Sequence, residues 1–220
     1  MKYITLGKEC GVSTALRGLN LREYALPFDW IISTPEIISN VVMNDFKDFH
    51  CSLKLSDDMT GVIDSYGIEY THDYPTIKEE LFINDNFDIV REKNIIKQDW
   101  ERHIDAVQAK YRRRIERFNT IMNSDELIIA LYSGEVGEVN IFKDLFLKKY
   151  NKKNIYYVVY SEHEDISNEK KLELLENESI SVCELCDILL DENDNMFIDP
   201  NPLSKCYLWA DAINKIHLKI

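Results

Sequence analysis

Cys10 and His72 are the residue types from which a thiol nucleophile and its general base are built. A thiolate is the reactive form of cysteine, and the positive end of a helix favours it. Cys10 stands just ahead of Val12, Ala15, Leu16 and Leu19, whose steps of three and four predict a helix that begins close to it. His72 follows a β-rich stretch over residues 62–70. Its neighbour Asp73 is an acid able to influence the orientation and charge of the ring. Cys–His catalysis requires the pair to meet in space, not in sequence. Each residue also has a plainer reading. Most unbridged cysteines are small buried apolar groups, and a loop histidine is usually a surface residue. The other histidines are weaker candidates. His50 follows a predicted helix, His103 and His217 lie in helical patterns, and His163 lies in an acidic loop.

Asp29 is boxed by Pro27, Phe28 and Trp30. A carboxylate among aromatic rings is costly unless hydrogen-bonded. It is either a tie to a backbone turn or an orienting acid for a catalytic histidine. Farther on, Tyr111-Arg112-Arg113-Arg114-Ile115-Glu116-Arg117-Phe118 places four arginines on one predicted helix. Arg113 and Arg117 are one i,i+4 step apart and share a face. They suit a phosphate or carboxylate held by forked hydrogen bonds, or they pair with the acids of the chain. Cys183 and Cys186 form a single CxxC, and a zinc ribbon needs a second pair. P-loop, GxGxxG, GxSxG and HExxH patterns do not occur. No cofactor and no metal is therefore expected.

These residues need elements to position them. Residues 2–6 read as a buried strand ending at Gly7. Ser33, Thr34, Pro35 and Glu36 read as a helix start with a hydroxyl cap and proline at the first turn. Ile37, Ile38, Val41, Val42 and Phe46 give that helix its apolar face. Residues 51–61 are polar and read as loop. The longest helical pattern is 99–122, with Ile104, Val107, Tyr111, Ile115, Phe118 and Met122 in step. Strands are predicted over 126–132, 155–160 and 180–185, and helices over 141–150, 169–175 and 204–216. The acidic run 191–195 reads as a solvated loop. This alternation predicts an α/β fold: one domain over 1–220 with a central mixed or mostly parallel sheet flanked by helices.

The chain has 220 residues, 45% hydrophobic and 30% charged, with only 7 Gly and 5 Pro, which excludes wholesale disorder and low-complexity architecture. Its 26 basic and 39 acidic residues give a net charge of −13. Phosphate backbones and acidic lipids repel such a chain, so neither nucleic acid nor a membrane is an expected partner. No apolar run approaches a membrane span. Lys8 and Glu9 come too early for a signal peptide, which predicts a cytoplasmic location and reduced thiols for the 5 cysteines.

Several of these segments form a recognisable set. Leu6-Gly7-Lys8-Glu9-Cys10 is followed by Leu16-Arg17, by Pro27-Phe28-Asp29-Trp30, by His72-Asp73 and by Arg113-Arg114-Ile115-Glu116-Arg117-Phe118. In these motifs the chain resembles the bacterial and viral family of unknown function described as papain-like cysteine peptidases. The resemblance covers about the first 135 residues. It implies Cys10 as nucleophile and His72 as general base. Asp73 and Asp29 both match family positions for a third member. It also implies a papain-like α+β arrangement as the alternative fold, and peptide or amide substrates. The expected function is thus a cysteine hydrolase, a peptidase or an amidase/acyltransferase, on a peptide or small-molecule substrate. Two alternatives remain. One is a transferase on anionic or glycan substrates held by Arg113 and Arg117. The other is a non-catalytic interaction domain using the 12 Tyr and 9 Phe.

Overall fold

A computed structural model describes residues 1–8, 10–82, 89–160, 180–182 and 206–218. The chain opens with β1 (Lys2–Thr5) and α1 (Gly11–Gly18), then β2 (Ile31–Ile32) and α2 (Pro35–Met43). Short strands β3 (Lys54–Leu55), β4 (Val62–Ile63) and β5 (Glu69–Tyr70) lead to a hairpin of β6 (Thr76–Phe82) and β7 (Ile89–Ile96). A 3-10 turn, Trp100–His103, enters α3 (Ile104–Met122). Then come β8 (Ile128–Ser133), α4 (Val139–Tyr150), β9 (Ile155–Tyr160), β10 (Ile180–Val182) and α5 (Cys206–His217).

Strands β1, β8, β9 and β10 form a sheet in that order, and every pairing is parallel. All six residues of β8 are buried, as expected of a strand covered on both faces. Alternation decides which face each residue meets. Ile128, Ala130 and Tyr132 join the core built with Val41 of α2, Phe118 of α3 and Phe142 of α4. Ile129 and Leu131 join a second core with Leu16 of α1 and Ile213 of α5. Helices therefore cover both faces of a parallel sheet, which is the predicted α/β class. Helix α1, capped by Cys10, follows β1 of this parallel sheet.

A second sheet, ordered β2-β5-β4-β3, is antiparallel. Its Ile31, Val62 and Tyr70 belong to the same core as Ile4 and Leu6 of the β1 segment. That shared core fixes the segment carrying His72 against the segment carrying Cys10. Helix α2 starts as its sequence predicts: Thr34 Oγ1 accepts from the Ile37 N–H at 3.4 Å, and Pro35 occupies the first turn.

Three local expectations change. The sequence reading has no strand between 71 and 98, yet β6 and β7 pair there with Thr76 opposite Ile96. The stretch 51–61 is not all loop, because Lys54 and Leu55 pair with Ile63 and Val62. A 3-10 turn, Val136–Glu138, precedes α4, which starts earlier than residue 141. The predicted helix 169–175, the acidic run 191–195, Cys183 and Cys186 lie outside the described residues. Among the described residues, no helix is long and apolar enough to cross a membrane.

Candidate active site

Two consecutive residues with positive φ turn the chain from β1 into α1: Gly7 at +68° and Lys8 at +73°. The positive φ favours glycine, and a Cβ at Gly7 would come within 2.8 Å of Ile38 Cδ1, so that methyl of α2 would have to shift. Cys10 is the N-cap of α1, and its carbonyl accepts from the Thr14 N–H at 3.0 Å and from Thr14 Oγ1 at 3.1 Å. Its sulfur is half-buried and is a thiol, not a disulfide. Cys10 lies beyond the carboxyl end of a parallel strand, the edge where α/β sheets place their ligand sites. There the helix dipole favours negative charge on the sulfur.

His72 arrives from the other sheet. Ile31 of β2 is paired with Tyr70 of β5, which brings Trp30 and His72 side by side. The exposed imidazole has Nε2 3.2 Å from Cys10 Sγ, within range for a sulfur hydrogen bond. The Trp30 ring meets it in a T-shaped contact, 5.5 Å between centroids.

The two acids sit apart from this contact. Asp29 is buried. It accepts from Thr5 Oγ1 at 2.5 Å and from the Leu26 N–H at 3.1 Å, and Arg22 Nε lies at 3.2 Å. Burial pushes its pKa up, against the pull of the Thr5 and Leu26 hydrogen bonds and of the Arg22 and Arg114 charges. Asp73 accepts from Tyr111 at 2.5 Å and pairs closely with Lys110. Neither carboxylate is hydrogen-bonded to the His72 ring. Among the described residues, no group of three His, Cys, Asp or Glu is arranged to hold a metal ion.

The model of the family described as "Putative papain-like cysteine peptidase (DUF1796)" matches residues 1–171. The chain belongs to this family. The match extends beyond the motif-bearing part to the end of β9 and past it. No curated protein and no solved structure matches the chain.

The family's arginine-rich segment forms part of α3, and its arginines differ in setting. Arg113 is exposed and donates to its own helix at the Ala109 carbonyl, 3.0 Å away. Arg117 lies over the Tyr24 ring at 5.2 Å. Arg114 is the buried one. It lies 4.9 Å over the Tyr111 ring, with a buried Nη1 that has no hydrogen-bond partner. The i,i+4 pattern singles out Arg113 and Arg117, but the helix turns Arg114 inward with Tyr111 and Phe118.

His50, a weaker candidate in the sequence, has a setting of its own. It is buried, stacks on Tyr111 and bonds the Tyr74 hydroxyl through Nε2 at 2.9 Å. Burial lowers its pKa to about 4, with the Asp73 charge opposing and the Lys110 charge assisting. Nearby, Asp64 accepts from Tyr70 at 2.8 Å and from the backbone of His50, Tyr66 and Ile68. This polar core lies beneath the segment that carries His72. No local pattern at position 50 announces it, because its partners Asp64, Tyr74 and Tyr111 are distant in sequence. A concavity of about 220 Å³ lined by Lys2, Tyr3, Leu21 and Tyr24 lies at the other end of β1, away from Cys10.

Proposed function

We propose that the chain is a thiol hydrolase that cleaves peptide or amide bonds with Cys10 as nucleophile and His72 as general base. The 3.2 Å contact between Cys10 Sγ and His72 Nε2 carries this reading. It is the base-to-nucleophile geometry that such chemistry needs.

His72 takes the thiol proton, and the thiolate attacks the substrate carbonyl carbon. The oxyanion that forms accepts hydrogen bonds from unpaired N–H groups in the first turn of α1. The tetrahedral adduct collapses to a thioester, and the imidazolium gives its proton to the leaving amine. Water, deprotonated by the same imidazole, then releases the acid and restores the thiol. Asp73 supports His72 through its grip on α3, and Asp29 through the turn before Trp30. A reducing, cytoplasmic setting suits this chemistry. The net charge of −13 favours neutral or basic peptides over nucleic acid or anionic membranes. Arg113 bonded to its own helix and Arg117 laid on Tyr24 give less support to the transferase alternative.

The test is iodoacetamide labelling of the native protein at pH near 6, read by mass spectrometry, followed by hydrolysis of a fluorogenic peptide library. Cys10 is expected to label first. Cys10→Ser is expected to abolish turnover, and His72→Gln to reduce both labelling and turnover. First labelling at Cys51, whose pKa burial raises, with Cys10 silent, would overturn the assignment.

A further inference from the structure

Trp30 occupies a left-handed backbone conformation, φ +66°, where a bulky side chain is an outlier. Such strain persists only where the surroundings over-determine it, and it clusters at functional sites. The surroundings here are specific. Asp29 holds the preceding turn twice, accepting from the Leu26 N–H and donating its own N–H to the Leu26 carbonyl at 3.2 Å. Thr5 ties the same carboxylate to β1. Arg22 is paired with Asp29, and its guanidinium also lies 5.8 Å from the centre of the Trp30 ring. Ile31 is then locked into β2 opposite Tyr70. Between these two fixed points the indole projects against His72, with its plane at 81° to the imidazole.

We infer that Trp30 is a positioning residue for His72: its ring restricts imidazole rotation and keeps Nε2 aimed at Cys10. Asp29 then acts on His72 through Arg22 and the indole, not through a hydrogen bond to the ring. This rests on the Cys10–His72 couple proposed above and assigns the Pro-Phe-Asp-Trp box a task within it. The groups facing His72 are Cys10 at the start of α1 and Trp30 at the entry to β2. Asp73 follows it in the chain and is held by Lys110 and Tyr111 of α3.

A glycine at position 30 separates the roles, because it adopts φ +66° without strain while removing the ring. The experiment follows the rate of Cys10 alkylation by iodoacetamide from pH 5 to 9 in the wild type, Trp30→Gly, Trp30→Phe and His72→Gln. Thermal unfolding of each is recorded alongside. Trp30→Gly is expected to keep or raise the unfolding midpoint. Its labelling near pH 6 is expected to fall by about tenfold to a hundredfold, the scale set by misplacing a catalytic group. Trp30→Phe restores most of the rate. At a fixed pH, the carbon-bound ring-proton NMR signals of His72 are expected to carry a ring-current displacement from the Trp30 indole, and Trp30→Phe to reduce it. Wild-type labelling by Trp30→Gly at every pH, with His72→Gln altered, would remove the role of Trp30 and leave the couple intact. An unaltered His72→Gln profile would overturn both. Should Trp30→Gly not fold, wild-type His72 ring-proton signals without that displacement overturn the proposal by themselves.

Discussion

The Tyr111 hydroxyl donates to Asp73 Oδ2 at 2.5 Å, and the Lys110 ammonium pairs with the other carboxylate oxygen. Neighbouring residues of α3 thus clamp the residue that follows His72. Tyr111 is buried, so its hydroxyl has no water to fall back on, and its pKa rises far above that of an ordinary phenol through burial first and the Asp73 charge second.

Removing parts of this clamp should have graded effects. Tyr111→Phe leaves one carboxylate oxygen short of a donor and is expected to cost about 1–3 kcal/mol. Asp73→Ala strands the buried Tyr111 hydroxyl and also removes the part-buried pair with Lys110, and is expected to cost more, about 2–4 kcal/mol. Urea unfolding measures both. Labelling of Cys10 should slow in Asp73→Ala more than in Tyr111→Phe, because only the first releases the His72 segment. Equal stability of the two variants would show that the clamp is not a unit.

His50 makes stability depend on pH. Its pKa is depressed from 6.5 to about 4, so the folded protein resists a proton that the unfolded chain accepts. The stability it contributes is therefore complete above pH 6.5 and is lost as pH falls toward 4. The full loss is about 3 kcal/mol by proton linkage. Its burial supports a loss of that order. His50→Gln, which keeps a partner for Tyr74, should unfold with a shallower pH slope across this window. Parallel wild-type and variant stabilities between pH 7 and 4.5 would show that His50 does not carry the slope.

The arginines of α3 should separate by burial. Arg113→Ala removes an exposed group bonded to its own helix, and a change within about 0.5 kcal/mol is expected. Arg114→Met removes a buried charge stacked on Tyr111 that also acts on Asp29, and a loss of about 2–4 kcal/mol is expected. Chemical denaturation of both variants decides the order. If Arg113→Ala proves the costlier change, α3 presents another face to the core.

The parallel sheet was legible because each of its long strands is apolar throughout and separated from the next by a helical rhythm. Ile128–Ser133 and Ile155–Tyr160 are buried on both faces and announce themselves locally. The hairpin was not legible. Thr76–Phe82 carries Lys78, Glu79 and Glu80, and Ile89–Ile96 carries Arg91, Glu92 and Lys93, so each segment alone reads as polar loop. Mutual pairing makes them strands, and pairing is a property of two segments. The same limit hid the surroundings of His72. Cys10 and His72 stood out by residue type and by motif. The orientation of Trp30 depends on a backbone angle, and the inward turn of Arg114 on which face α3 buries. Neither is written in the spacing of residues.

The turn that delivers Cys10 allows a test in which two costs are separated. Gly7 has φ +68°, and a Cβ there would meet Ile38 Cδ1 at 2.8 Å. Gly7→Ala therefore carries a backbone cost of about 1–2 kcal/mol for a left-handed alanine, plus a packing cost against α2. Ile38→Val deletes the methyl group that clashes and should cost about 0.5–1.5 kcal/mol by itself. In the double variant the packing part vanishes and the backbone part stays. The two changes are thus expected to cost less together than the sum of their separate effects, by about 0.5–3 kcal/mol of coupling. Ile38 is fully buried in the core that joins β1 to α2, so relief at this contact should also return Cys10 toward its wild-type labelling rate. Strict additivity in urea unfolding, with labelling in the double variant as slow as in Gly7→Ala, would mean that backbone conformation alone demands the glycine.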